Sequence, residues 1–183
     1  LGLWNHRFYF YTYFRDSEHF AGVLAFVFIV SFFWVGDRIF KFKFKYYHYV
    51  ALIFMALFGV LFSPLYLLFP GYDKVLHFTF PFLGCFLIFY IVNKLELDLR
   101  TKLMFSFSIM ITLITFSEIA EFILDWLFDL NLQGVFAGDV GGTFKIASGD
   151  VQVLQSRISD TMTDLILGVL GSATFVLVKL RGK

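Results

Sequence analysis

SEIAEFILDWLFD, residues 117–129, sets three carboxylates, Glu118, Glu121 and Asp125, inside an otherwise apolar run. At ~100° per residue they fall within an arc of roughly 60°, so a helix here carries all three on one face. The surroundings are membrane-grade. Leu103 to Phe116 precede the stretch, and Phe122, Ile123, Leu124, Trp126, Leu127 and Phe128 interleave with the acids. A carboxylate in such a segment costs roughly 2.5–3.5 kcal/mol unless it meets a partner, a metal or water. The chain must therefore bring partners to this helix. Two other stretches offer them: DKVLH, with Asp73 and His77, and DTMTD, with Asp160 and Asp164.

Composition agrees with that reading. The 183 residues are 59% hydrophobic and 16% charged, with a mean hydropathy of +0.78, against roughly 45–50% and 25% for a soluble domain. An all-α fold follows: a polytopic transmembrane helix bundle in a plasma or inner membrane, with the lipid bilayer as its solvent. The 28 phenylalanines read as lipid-facing and inter-helix filler. The net charge of +1 argues neither for nor against nucleic acid, and no basic cluster is large enough to suggest it, so no nucleic-acid partner is expected. Cys85 is the sole cysteine, which excludes an internal disulfide and a thiolate metal site. It reads as a small packing residue.

Five spans are expected within one helical domain, residues 20–183. An aromatic interfacial segment, residues 1–19, precedes it and has no signal-peptide pattern. The first span is Phe20 to Gly36, ended by Asp37 and Arg38. RIFKFKFKYYHY, residues 38–49, alternates Lys and Phe with strand period but has no pairing partner, so an interfacial loop is expected. Its four cations suit anionic-lipid binding, although a plain topology signal is the preferred reading. Tyr49 to Phe69 is the second span, with a break at Ser63-Pro64 and a turn at Pro70-Gly71. Lys74 to about Val92 is the third, bent at Pro81. NKLELDLRTK, residues 93–102, is a polar loop. Leu103 to about Phe128 is the fourth span, and Asp160 to about Leu180 the fifth. Gly168, Gly171 and Ser172 give the fifth span a small face for close packing. Residues 129–159 form a long Gly-rich extracytoplasmic loop. Within it, GDVGGTFK, residues 138–145, echoes a phosphate-binding turn of sugar kinases without their soluble α/β domain, and reads as a tight loop or lid. His6, His19 and His48 read as isolated interfacial residues. Lys and Arg concentrate in residues 38–48, residues 93–102 and the C-terminus, which puts that side in the cytoplasm and the first residue outside.

In this topology Asp73, His77, Glu118, Glu121, Asp125, Asp160 and Asp164 converge on the outer half of the membrane. So many carboxylates cannot all stay ionised without compensation. Three resolutions stand open. A divalent cation, Mg, Ca, Mn or Zn, could be held by Asp73, His77, Glu121, Asp125, Asp160 and Asp164. Protons could be shared in a relay. Or Lys74, Lys145 and Arg157 could pair with the acids. Asp73 and Asp160 also stand where helix N-caps belong.

DKVLHF (73–78), E-x-x-E-F-x-x-D (118–125) and D-T-x-x-D-L followed by L-G-x-x-G (160–171) together resemble the YjdF-like family of inner-membrane proteins of unknown function. More distantly the pattern is similar to the VanZ-like family, linked with glycopeptide-antibiotic resistance. That family's pattern has Gln where Glu121 stands and Asn after the last Asp, and it carries an Arg that has no counterpart here. The resemblance covers about residues 70–172 and implies a fold more than a reaction. The expected function is a metal-dependent enzyme acting on a lipid or lipid-linked headgroup, with Glu118 or His77 as general base. The alternatives are an accessory subunit bound to other membrane proteins and, third, ion or proton movement.

Overall fold

The computed structural model describes residues 17–62, 65, 69, 71–128, 133, 135–137 and 152–182. They fall in two compact units, which divide between Phe69 and Pro70. The interfacial segment up to residue 16, the Ser63-Pro64 break, Pro70 and the GDVGGTFK turn lie outside the described residues.

In the first unit, α1 (Ser17–Phe40) runs straight through Asp37 and Arg38, which were expected to end it. Both charges have partners at the helix end. Arg38 stands in the last turn, where a cation complements the helix dipole, and its guanidinium lies 5.2 Å over the Trp34 ring. Asp37 accepts a hydrogen bond from the Phe44 N–H at 3.2 Å and one from the Tyr49 hydroxyl at 2.5 Å. The connection is irregular as expected. Lys41 and Lys43 have φ of 52° and 55°, so the Lys–Phe alternation does not build a strand. α2 (Tyr46–Ala56) follows and continues into a π-helical turn, Leu57–Leu61. His48 is buried, not isolated: it is 1% exposed, and its Nδ1 accepts the Lys45 N–H at 3.0 Å. It takes the place of the Glu or Gln that, three residues past a helix N-cap, reaches back to the N-cap N–H.

The second unit is a three-helix bundle: α3 (Tyr72–Val92), α4 (Leu99–Phe128) and α5 (Arg157–Arg181). At 1.5 Å per residue each covers the ~30 Å hydrocarbon core. Among the described residues these three are long and apolar enough to cross a membrane. The architecture is the expected all-α membrane bundle. Its starts differ from expectation. α3 is capped by Gly71 and α5 by Ser156, whose side chain accepts from the Ser159 N–H. Asp73 and Asp160 are therefore not caps but lie inside their helices. α4 begins four residues early, because Asp98 accepts from the N–H of Thr101 at 3.1 Å and from its hydroxyl at 2.5 Å.

Each helix buries one stripe at three- and four-residue spacing. On α4 it is Leu103, Ser106, Met110, Ile114, Glu118 and Asp125; on α5 it is Asp160, Asp164, Gly168, Gly171, Ser172 and Phe175. Both stripes are apolar or small at one end and acidic at the other. The apolar end holds Cys85, Phe89, Leu103, Met110, Ile114 and Phe175. The expected small face on α5 is real. A methyl on Gly171 would strike the Phe78 carbonyl of α3, and one on Gly168 would stand 2.7 Å from the Ile114 side chain of α4. The opposite surfaces stay apolar and exposed, as at Met104, Phe116, Trp126 and Leu177, which suits contact with lipid. Between α4 and α5, the segment read as a loop contains two short antiparallel strands, β1 (Val135–Ala137) and β2 (Gln152–Gln155).

Candidate functional site

The acidic ends of the stripes meet where α3 begins, α4 ends and α5 begins. This convergence follows from connectivity, since consecutive helices of the unit run in opposite directions. Lys74 is the hub on the α5 side. Its Nζ donates to Asp73 Oδ2 at 3.0 Å, to both Asp164 oxygens at 2.7 and 2.8 Å, and to Asp160 Oδ1. Asp160 and Asp164 are almost wholly buried, so this ammonium is their counter-charge.

His77, one turn further along α3, stands between two acidic sets. Its Nε2 is 3.3 Å from Asp73 Oδ1, and its Nδ1 is 3.7 Å from Glu118 Oε1. Two triads result, each with one ligand-type atom per residue and all atoms within 4.8 Å of one another: Asp73, His77 and Asp164; and His77, Glu118 and Glu121. Glu118 is 4% exposed, and its Oε1 has no hydrogen-bond partner. Pro81 lies inside α3, one turn beyond His77. It has no N–H, so it cannot donate to the His77 carbonyl four residues earlier.

Six of the seven residues expected at the site are therefore gathered. Asp73, His77, Asp160 and Asp164 surround or adjoin Lys74, while Glu118 and Glu121 share the other side of His77. Asp125 stands apart from both triads. It is buried a turn further along α4, where its Oδ2 accepts the Gln133 N–H at 3.1 Å and anchors the chain leaving α4. Of the three cations expected to pair with the acids, Lys74 does so. Lys145 lies outside the described residues.

Gln133 is a residue that sequence reasoning missed. It is 7% exposed, and its Nε2 donates to Thr161 Oγ1 at 2.8 Å. Thr161 in turn hydrogen-bonds Glu118. The available signal was a lone amide between two apolar stretches, too weak to separate from an ordinary loop residue. Gln155 makes a similar tie, donating to the Ser159 carbonyl at 2.8 Å and the Thr163 hydroxyl at 2.9 Å.

A family described as predicted membrane protein (DUF2238) matches residues 7–182. The chain belongs to this family. It is the YjdF-like family whose motifs the sequence carries, and the match extends well beyond residues 70–172. The N-terminal third is thus part of the family pattern and not hydropathy alone. No curated protein and no solved structure matches the chain.

Among the described residues of this YjdF-like protein, the acids gathered at the site outnumber the bases that hold them. Asp73, Glu118, Glu121, Asp160 and Asp164 face one lysine and one imidazole. Lys74 addresses Asp73, Asp160 and Asp164. Among the described residues His77 is the basic group set against Glu118, and Arg157 lines the cavity that Glu118 also borders. A buried anion without a full counter-charge is costly by several kcal/mol.

Proposed function

We propose that the site binds one divalent cation on the Glu118 side and acts on a phosphoryl or acyl oxygen of a lipid or lipid-linked headgroup. The observation that carries this reading is the position of His77 between two carboxylate sets, with a buried Glu118 oxygen that accepts no hydrogen bond on one side. The Asp73–His77–Asp164 triad already holds the Lys74 ammonium, which competes with a metal there. Among the described residues, the His77–Glu118–Glu121 triad holds no lysine. Its cation would meet Nδ1 and the two glutamates, while Nε2–H faces Asp73. A carboxylate behind a metal-bound histidine fixes the ring's tautomer and direction and makes the ligand more basic. One nitrogen and several oxygens suit Mn, Fe or Zn better than Ca or Mg.

The bound cation would polarise the reacting oxygen or acidify a water. Glu118, whose second oxygen faces Thr161, is then the general base. Asp160 and Asp164 become positioning residues that hold Lys74, and Asp125 anchors the chain leaving α4. This ligand set is narrower than the six residues that spacing alone proposes. A purely structural role, helices held in register by their acids, is favoured for the Lys74 half of the site by its contacts to Asp73, Asp160 and Asp164.

The test is release of headgroup phosphate from lipid-phosphate substrates by purified protein, with and without Mn²⁺ or Zn²⁺. Metal-dependent turnover that Glu118→Gln and His77→Ala abolish, in protein that still purifies as a single species, is the expected result. Turnover that ignores both substitutions would contradict the assignment.

A further inference from the structure

The connection between α1 and α2 forms a second site that the acidic cluster does not involve. Trp34, Arg38, Lys41, Lys43, Phe44 and Tyr49, together with Asp37, line a cavity of ≈ 630 Å³ in the first unit. That volume lies in the range of small-molecule pockets. Three cations and one anion line it, and the anion is engaged by its own loop. Asp37 accepts from the Phe44 N–H and the Tyr49 hydroxyl and from the backbone of Lys43.

The wall is built from rings. Phe33 stacks on Phe44 at 4.6 Å, and Tyr49 meets Phe44 edge-on at 6.3 Å. Arg38 is steadied over Trp34. The two lysines hold left-handed backbone angles, 52° and 55°. For a residue with a Cβ that conformation is unfavourable and persists only where the surroundings impose it. Here the Asp37 hydrogen bonds and the ring stack impose it. A sequence signal for membrane orientation requires only charge and would tolerate any backbone; this loop is shaped.

We infer that the α1–α2 cavity binds the phosphate of an anionic phospholipid headgroup. The ligand chemistry is a phosphate monoanion, and the surroundings select the lipid-borne form. Ile39 and Phe40, 66% and 68% exposed at the end of α1, present apolar surface beside the cations. Acyl chains can occupy that surface, and a free phosphate gains nothing from it. Trp34 and Tyr49, of the residue types that favour the headgroup level, complete the setting.

The experiment is lipid titration of the purified full chain by native mass spectrometry. Dioleoyl phosphatidylglycerol, dioleoyl phosphatidylcholine and inorganic phosphate serve as the three probes. Phosphatidylglycerol should bind at least roughly 10-fold more tightly than phosphatidylcholine. Lys41→Gln/Lys43→Gln should weaken it roughly 10- to 30-fold. Trp34→Ala should weaken it with no change of charge. Lys94→Gln/Arg100→Gln, the same charge removed from the other unit, should leave it unchanged. Equal binding of the two lipids would overturn the inference. So would equal weakening by the two charge-removing pairs, which would mean diffuse surface attraction. Displacement of the lipid by millimolar inorganic phosphate would show a free-phosphate site instead. Should the lysine pair fail to purify, unchanged binding by Trp34→Ala overturns the inference alone.

Discussion

The two ends of the α3–α4–α5 core use the same helical stripes for opposite chemistry. At one end Cys85, Met110, Ile114 and Phe175 fill space between the helices. At the other, one to three turns along the same stripes, Lys74, His77, Glu118 and Asp164 hold charge. The apolar end is stabilised by many small contacts, each partly replaceable. The ionic end depends on a few groups that must all find partners, because a half-satisfied buried network is worse than none. The two ends should therefore fail differently.

Lys74→Met breaks the comparison hardest. It leaves Asp160 and Asp164 buried without their counter-charge and should cost about 3–5 kcal/mol. Thermal unfolding in detergent should show a large fall in midpoint, and a wild-type midpoint would remove Lys74 from the centre of the network. Lys74→Met combined with Asp160→Asn and Asp164→Asn should recover most of that loss, since removing a whole buried network is far cheaper than removing half of it.

The apolar end responds to shape. Gly171→Leu drives a side chain into the Phe78 backbone, which cannot yield, and overpacking of this kind costs about 1–3 kcal/mol. Gly84→Ala should cost less, because the obstacle there is the flexible Met110 thioether. Equal midpoints for the two variants would contradict the close α3–α5 approach.

The smallest expected effect is at the start of α4. The Thr101 hydroxyl and N–H hold the Asp98 carboxyl below the usual carboxylate range. A carboxylate whose folded value is depressed contributes stability above its unfolded value, about 3.9, and loses it as pH falls through the folded value. Amide exchange at Thr101 should therefore quicken only in acid. Asp98→Ala should show the fast exchange at neutral pH.

Much of this division was legible in the sequence. The 100° periodicity put Glu118, Glu121 and Asp125 on one face, and antiparallel connection brought Asp73, His77, Asp160 and Asp164 to the same end. The small face at Gly168 and Gly171 was legible as well, because few residues permit helices to approach so closely. Helix starts were not. Asp is a good cap, yet Gly71 and Ser156 take that role and leave Asp73 and Asp160 for Lys74. Spacing also could not separate Asp125 from the other acids, because its partner, the Gln133 N–H, comes from a segment without periodicity. The burial of His48 was hidden for a related reason: a histidine that accepts from the Lys45 N–H looks the same in sequence as an isolated one.

The most direct test is the divalent-metal content of purified protein after equilibration with Mn²⁺ or Zn²⁺, by elemental analysis. Wild type should hold about one ion per chain, Asp160→Asn/Asp164→Asn should keep it, and Glu118→Gln/Glu121→Gln should lose it. No bound metal in wild type, or loss in the aspartate pair with retention in the glutamate pair, would contradict a cation site on the Glu118 side of His77.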